Sequence, residues 1–292
     1  TAIDGISLGG RVALTVGFAH PEVFGAVGGM QPAIRGDEEA LAAILYDQQR
    51  MNRRFAFFEK LCLPSLAAQT DPDFRLVVLI GTSMPMRFRT RLKGLADQYP
   101  FMQICALEPH GPLNATKRAY RRGLGDGADF ITGFRIDDDD AVAVDYIEKT
   151  RAAADQLIEL GWADADHPVV VAFHRGLYWD MNDKEDPFYD FREIGPLGLA
   201  SAMITKPDDH SNMFRWNHRR VAAYVRMWSD PTDQMFVRTL HQHNDSDRSI
   251  PPGAVAIGKP EAKALLRERF GLDPEEVMPL MWRKFGGTDD DE

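Results

Sequence analysis

A short apolar segment followed directly by four aspartates constrains this chain more than any other feature. Residues 130–136, Phe-Ile-Thr-Gly-Phe-Arg-Ile, have the composition of a strand, and residues 137–140 are all aspartate. Adjacent carboxylates repel one another, and each loses its hydration only at a cost in free energy. A fold that places this run after a buried strand therefore needs a cation to neutralise it.

Alternation of side chains along an extended segment predicts how the four carboxylates divide. Asp137 and Asp139 would share one face, and Asp138 and Asp140 the other. One such pair can bind a hard divalent ion such as Mg²⁺ or Mn²⁺, with coordination positions left for phosphate oxygens. A metal-bridged diphosphate is the leading hypothesis, and a solvated acidic loop or a calcium site is the alternative.

Composition excludes several classes of protein. The chain has 292 residues with 44 acidic and 34 basic side chains, a formal net charge of −10. This balance argues against a nucleic-acid partner and against binding to anionic lipid. No apolar run approaches the ~20 residues that a membrane helix needs, so no membrane span is expected. The two cysteines, Cys62 and Cys105, are isolated in sequence, which favours reduced structural thiols and a cytoplasmic location.

Strand-like and helical patterns alternate along the chain. Residues 75–80 and 102–107 read as buried strands, and residues 87–97 and 143–160 read as amphipathic helices. This order predicts an α/β protein whose sheet carries helices on both faces. Ligands of such sheets bind beyond the carboxyl ends of the strands, where residues 137–140 would lie.

Three segments resemble a known family. Residues 54–80 contain Pro-Ser-Leu-Ala-Ala-Gln-Thr before a strand, residues 134–142 read Phe-Arg-Ile-Asp-Asp-Asp-Asp-Ala-Val, and residues 243–246 read His-Asn-Asp-Ser. Together they resemble the bacterial rhamnosyl transferase family, which is similar to GT-A-type glycosyltransferases. The resemblance implies a GT-A-like (Rossmann-like) mixed, mostly parallel sheet flanked by helices. It also implies a nucleotide-sugar donor, a glycan or other hydroxyl acceptor, and Mn or Mg.

Matching the aspartates to the DxD pattern of that family implies roles for them. Asp137 would contact the ribose or the metal and Asp139 the metal, with Asp138 and Asp140 as the alternative pair. The ion would stabilise negative charge on the diphosphate as the bond to the sugar breaks.

Arg118 and Arg135 are candidates for binding the same diphosphate. The alternative is that they are solvated or salt-bridged surface residues.

Other polar residues are candidates for the remaining roles. His243 is a possible metal ligand, and Asp245 a possible metal, donor or catalytic contact, unless both belong to a polar loop. An inverting transferase also needs a base for the acceptor hydroxyl, for which Asp208, Asp209 and Asp180 are open candidates.

The first residues follow a different pattern. Gly5-Ile-Ser7-Leu-Gly9 fits G-x-S-x-G, and the residues after it resemble an α/β-hydrolase esterase. Six residues before Ser7 are too few for the strand and oxyanion-hole loop that such a site requires. Residues 1–36 are therefore a hydrolase-like remnant or supply the first strand of the transferase. The transferase domain is expected at 37–286 and an acidic disordered tail at 287–292.

Two rival functions are left by the sequence. One is a serine esterase that uses Ser7, and the other is a non-catalytic carbohydrate-binding protein that depends on divalent ions.

Overall fold

A computed structural model gives the arrangement of most of the chain. The residues that it describes are 14–19, 23–29, 45–108, 112–123, 128–185, 187–207, 209, 211–241 and 249–282. Ser7, Asp208, His243, Asp245 and the predicted tail lie outside these residues.

Eleven strands among the described residues form one sheet. They are β1 (Leu14–Ala19), β2 (Val23–Gly29), β3 (Arg75–Gly81), β4 (Met102–Leu107), β5 (Ile131–Ile136), β6 (Asp140–Val142), β7 (Val169–Asp180), β8 (Phe188–Arg192), β9 (Ser201–Thr205), β10 (Arg226–Leu240) and β11 (Val255–Ala256).

Seven α-helices accompany the sheet among the described residues. They are α1 (Gln48–Phe57), α2 (Leu63–Ala67), α3 (Met86–Gln98), α4 (Pro112–Gly123), α5 (Tyr146–Glu159), α6 (Lys259–Phe270) and α7 (Pro274–Val277). A π-helical segment, Phe58–Cys62, joins α1 to α2, and 3₁₀ turns lie at His218–Ala223 and Met278–Met281. The strands and helices expected at 75–80, 87–97, 102–107 and 143–160 are all present.

The sheet is mixed, but the predicted predominance of parallel pairing is not found among the described strands. The order is β11-β8-β7-β9-β5-β1-β2-β3-β4, and β10 pairs with β6 and β7. In the part of the chain that the structure describes, only the β2–β3, β3–β4 and β7–β10 pairs are parallel. Parallel neighbours need long crossover connections, whereas short loops such as 181–187 between β7 and β8 allow only antiparallel pairing.

Helices cover both faces of the sheet, as the alternating pattern predicts. In β3, Leu76, Val78 and Ile80 belong to the main core, which α1, α3, α5 and α6 share. Val77 and Leu79 point to the other face and pack with α4. A third apolar cluster, formed by Val170, Ala172, Met203, Met213 and Val221, also covers part of the sheet. The fold is therefore an α/β sandwich built on a mixed sheet.

Both cysteines are buried and unbridged, in agreement with the sequence analysis. Among the described helices none is long and apolar enough to cross a lipid bilayer.

Candidate metal centre at the acidic turn

The four aspartates form a turn between β5 and β6. The backbone N–H of Asp140 donates to the carbonyl oxygen of Asp137 at 3.2 Å, which closes the turn. Asp140 then opens β6, which pairs with β10. The segment is thus not extended throughout, and the simple alternation expected from the sequence holds only for its first three residues.

Three of the four carboxylates converge. Asp137, Asp139 and Asp140 each offer a carboxylate oxygen, and these oxygens lie within 4.8 Å of one another. Asp137 and Asp139 lie together as alternation predicts, and the turn brings Asp140 to them. We refer to these three residues as the acidic triad.

Asp138 points away from the triad and towards helix α1. One of its carboxylate oxygens accepts from Arg54 at 2.7 Å, and its side chain is only 4% exposed. Burial raises the pKa of Asp138 to about 8; the Arg54 charge opposes that rise, and Asp139 and Asp137 add to it. The Asp138–Arg54 pair is therefore a buried structural contact, and the alternative pairing of Asp138 with Asp140 is not the arrangement observed.

His241 holds the second member of the triad. Its Nε2 lies 3.1 Å from Oδ2 of Asp139, and its ring stacks on Phe57 with centroids 5.0 Å apart. The hydroxyl of Thr239 donates to the backbone oxygen of Asp139 at 2.6 Å. Burial alone would raise the pKa of Asp139, but the hydrogen bond and charge of His241 outweigh it and lower the pKa. These contacts thus favour the ionised form of Asp139.

The carboxylate of Asp140 is stabilised less well by its neighbours than that of Asp139. Its Oδ1 accepts from the backbone N–H of Thr239 at 3.3 Å, and Arg238 is its partner in register on β10. Burial, with the charges of Asp139 and Asp137, raises the pKa of Asp140 well above its usual value, and Arg238 only partly opposes this. The surroundings of Asp140 therefore disfavour its ionised form when no cation is bound.

The helix that carries Arg54 is widened beside the turn. The backbone N–H of Leu63 donates to Phe58, five residues back, in the π-helical segment. Pro64 follows, and a proline has no N–H to donate and crowds the preceding turn of a helix. Such π-helical turns are frequent at functional sites.

Ser65 and Gln69, from the Pro-Ser-Leu-Ala-Ala-Gln-Thr segment, hold the far side of β6. The backbone N–H of Val142 approaches Oγ of Ser65 at 3.4 Å. The amide of Gln69 donates to Ala143 at 2.8 Å and accepts from Ile147 at 2.9 Å. The two motifs that carry the family resemblance therefore touch each other, and the first one positions the second.

The two predicted arginines lie in different surroundings. Arg118 is exposed on α4. Arg135 is half-buried, and its guanidinium carbon lies 4.8 Å from the ring centroid of Phe214. A Cβ on Gly198 would come within 2.1 Å of Arg135, so Gly198 leaves the space that this arginine fills.

The described candidates for the base act as turn caps. Asp209 accepts from the backbone N–H of Ser211 at 2.8 Å. Asp180 accepts from both nitrogen donors of Asn182, at 2.9 and 3.0 Å.

Sequence reasoning missed Arg54, Arg238 and His241. Arg54 carried a signal, because it lies on the helical stripe of Met51, Phe55 and Phe58, where a charge needs a buried partner. Arg238 and His241 follow apolar residues of β10 about a hundred positions after the turn, and only the pairing of β6 with β10 brings them close.

The donor set of the triad suits a hard divalent ion. Three carboxylate oxygens provide part of the coordination shell of Mg²⁺ or Mn²⁺, and the remaining positions are free for water or phosphate. Oδ1 of Asp137 is buried and has no hydrogen-bond partner among the described residues. A buried carboxylate oxygen in that condition is costly without a cation, so these residues fit a metal ion.

Comparison with known families agrees with this geometry. A family model described as "Putative rhamnosyl transferase" matches residues 18–253. The chain belongs to this family. The match includes both motif segments and the acidic turn, and the family description indicates a glycosyltransferase. No curated protein matches the chain.

Proposed function

We propose that this rhamnosyl transferase family member is a GT-A-like enzyme of the cytoplasm that depends on Mn²⁺ or Mg²⁺. It transfers a sugar, rhamnose by the family description, from a nucleoside diphosphate to a hydroxyl acceptor such as a glycan. The convergence of Asp137, Asp139 and Asp140 supports this proposal most strongly.

In this proposal Asp137, Asp139 and Asp140 would hold the ion that binds the diphosphate. Asp139 is kept ionised and oriented by His241, so it is the anchoring ligand. Asp137 and Asp140 complete the protein ligands. When bound, the ion supplies Lewis-acid stabilisation of the leaving diphosphate. Arg54 binds Asp138 on the side of helix α1, so this aspartate is not a proposed ligand.

Several residues of the sequence hypothesis stay predictions within this proposal. Arg118 and Arg135 would assist the diphosphate, and His243 would be a further ligand. Asp245 would be a metal, donor or catalytic contact, and Asp209 a candidate catalytic residue.

The experiment is a thermal-shift panel of UDP, GDP and dTDP with and without MnCl₂. Stabilisation that requires nucleotide and metal together is expected, because each completes the site for the other. Asp139→Asn should lose this joint effect, while Asp166→Asn, at an exposed position, should keep it. Equal nucleotide stabilisation without metal, or in Asp139→Asn, would contradict the proposal.

Measurement of donor turnover distinguishes the proposed transferase from a carbohydrate-binding protein and from a serine esterase. Metal-dependent release of nucleoside diphosphate from UDP-, GDP- and dTDP-sugars is expected of a transferase. Metal-dependent glycan binding without such release would favour a carbohydrate-binding protein. Fluorophosphonate labelling of Ser7 with hydrolysis of simple esters would favour an esterase.

A further inference from the structure

A second buried carboxylate lies on the same side of the sheet as the acidic triad. Glu193, just after β8, is 6% exposed. The hydroxyl of Tyr178 on β7 donates to its Oε1. Its backbone N–H donates to the carbonyl oxygen of His174 at 2.7 Å, and Nδ1 of His174 lies 3.3 Å from its carbonyl oxygen. Glu193 is therefore fixed at both backbone and side chain.

Strand pairing links this carboxylate to the acidic triad. Asp140, Arg238 and Tyr178 are partners in register on β6, β10 and β7, so their side chains share one side of the sheet. Adjacent strands are about 4.8 Å apart, which puts the backbones of Asp140 and Tyr178 roughly 10 Å from each other. Arg238 lies between them, and the charges of Asp140 and Glu193 and the Tyr178 hydroxyl all act on it.

The second carboxylate oxygen of Glu193 lies towards an exposed side chain. Its Oε2 is 3.6 Å from the guanidinium of Arg219, whose side chain is 59% exposed, whereas the side chain of Glu193 is 5% exposed. An acceptor hydroxyl would therefore have to reach Oε2 from the side of Arg219, while Oε1 stays bonded to Tyr178. Glu193 thus lies near the side chains of Tyr178, His174 and Arg219, and its charge also acts on Arg238.

His174, beside Glu193, has a buried ring nitrogen without a partner among the described residues. Nε2 of His174 is buried without a hydrogen-bond partner among the described residues, and the residue is 7% exposed. Burial lowers the pKa of His174, so its imidazole is neutral. A buried nitrogen of this kind is costly unless a ligand or water meets it.

We propose that Glu193 is the base that takes the proton of the acceptor hydroxyl, with Tyr178 and Arg238 as its positioning residues. This inference rests on the proposed function. The acceptor oxygen forms a bond to the anomeric carbon as its proton moves to Oε2 of Glu193. The bond from that carbon to the diphosphate breaks, and the diphosphate leaves with the electron pair. A single displacement of this kind inverts the anomeric configuration.

Glu193→Gln and Tyr178→Phe test the assignment together. Glutamine still accepts the hydrogen bond from Tyr178 but takes no proton. The kcat for release of nucleoside diphosphate from the nucleotide sugar should therefore fall by about 100-fold or more. Phenylalanine removes the hydrogen bond and leaves the carboxylate, so its kcat loss should be about 10-fold or less. In both variants the joint stabilisation by MnCl₂ and nucleoside diphosphate should persist. Glu159→Gln, at an exposed position of α5, is the matched control.

The outcomes separate the two proposals. If Glu193→Gln keeps kcat within a few-fold of wild type, or loses no more than Tyr178→Phe, Glu193 is structural and the inference is wrong. Retention of the anomeric configuration in the product would also overturn it. Absence of metal-dependent nucleotide stabilisation or of sugar release in the wild type would overturn the transferase function itself.

Discussion

The four aspartates of the acidic turn have different partners on its two sides, which face helix α1 and strand β10. On the helix side, Asp138 meets one arginine, Arg54, in a buried contact of 2.7 Å. On the sheet side, Asp139 meets His241, Asp140 lies opposite Arg238, and Oδ1 of Asp137 has no hydrogen-bond partner among the described residues. The difference teaches that the fold pairs one aspartate with an arginine and brings the other three together in a geometry that fits a cation.

The sharpest test of this comparison replaces two neighbouring aspartates, Asp137 and Asp138, one at a time by asparagine. Asp137→Asn removes a proposed ligand and should abolish metal-dependent sugar release. Asp138→Asn keeps an oxygen for Arg54 and should lower turnover by about 100-fold at most, since an indirect contact to a metal site costs about 10- to 100-fold. Nucleoside diphosphate release with and without MnCl₂ measures both. Equal losses in the two variants would show that the two sides do not differ.

Removal of Arg54 tests the helix side. Arg54→Met leaves Asp138 buried without its cation, and the free energy of unfolding should fall by about 3–5 kcal/mol. Denaturant unfolding monitored by circular dichroism gives this value. The double variant Arg54→Met with Asp138→Asn should recover part of the loss. A loss below about 1 kcal/mol in the single variant would show that the pair is not a structural contact.

The close packing of Gly176 against Phe236 should give a smaller change in the free energy of unfolding than the loss of Arg54. A Cβ on Gly176 would lie 2.3 Å from the ring of Phe236, which packs against Tyr178 with centroids 6.1 Å apart. Gly176→Ala should therefore cost about 1–3 kcal/mol of unfolding free energy. Gly94→Ala, in α3 with open space around it, is the control and should stabilise by up to about 1 kcal/mol. Similar thermal melting points for both variants would contradict the packing.

The pH dependence of unfolding should show the smallest effect. Burial lowers the pKa of His174 in the folded protein, so the unfolded chain binds its proton more readily. Stability is then fully present above the unfolded pKa of about 6.5 and falls as the pH drops through that value towards the folded pKa. One proton contributes at most about 1.4 kcal/mol per pH unit. His174→Asn should show a shallower decline between pH 7 and 5 in denaturant titrations, and an unchanged slope would disprove it.

The sequence predicts the acidic turn because its signals are local. An apolar strand followed by a run of aspartates identifies β5 and the site, and alternation along the chain correctly groups Asp137 with Asp139. It could not place Asp140 with them, because this depends on the turn that closes at the Asp140 N–H. Partners on β10, and Glu193 after β8, depend on pairing between distant strands, which a local pattern does not encode.

The same limit explains the direction of the strands. Alternating strand and helix patterns predict layers, and β3, β4, α3 and α5 lie where these patterns place them. They do not determine which strands are neighbours. The placement of β1 and β9 on either side of β5, both antiparallel to it, has no counterpart in the residue pattern.

The widened turn at Phe58–Cys62 lets this helix carry one extra residue without rotating its two ends relative to each other. Deleting a single residue there would let the helix become regular, and Arg54 and Phe57 would keep their directions relative to Ser65 and Gln69. Deleting a residue from a regular helical turn would instead rotate the two ends by about 100°. The π-helical segment is therefore a place where the chain can lose one residue while Arg54 still meets Asp138 and Phe57 still meets His241.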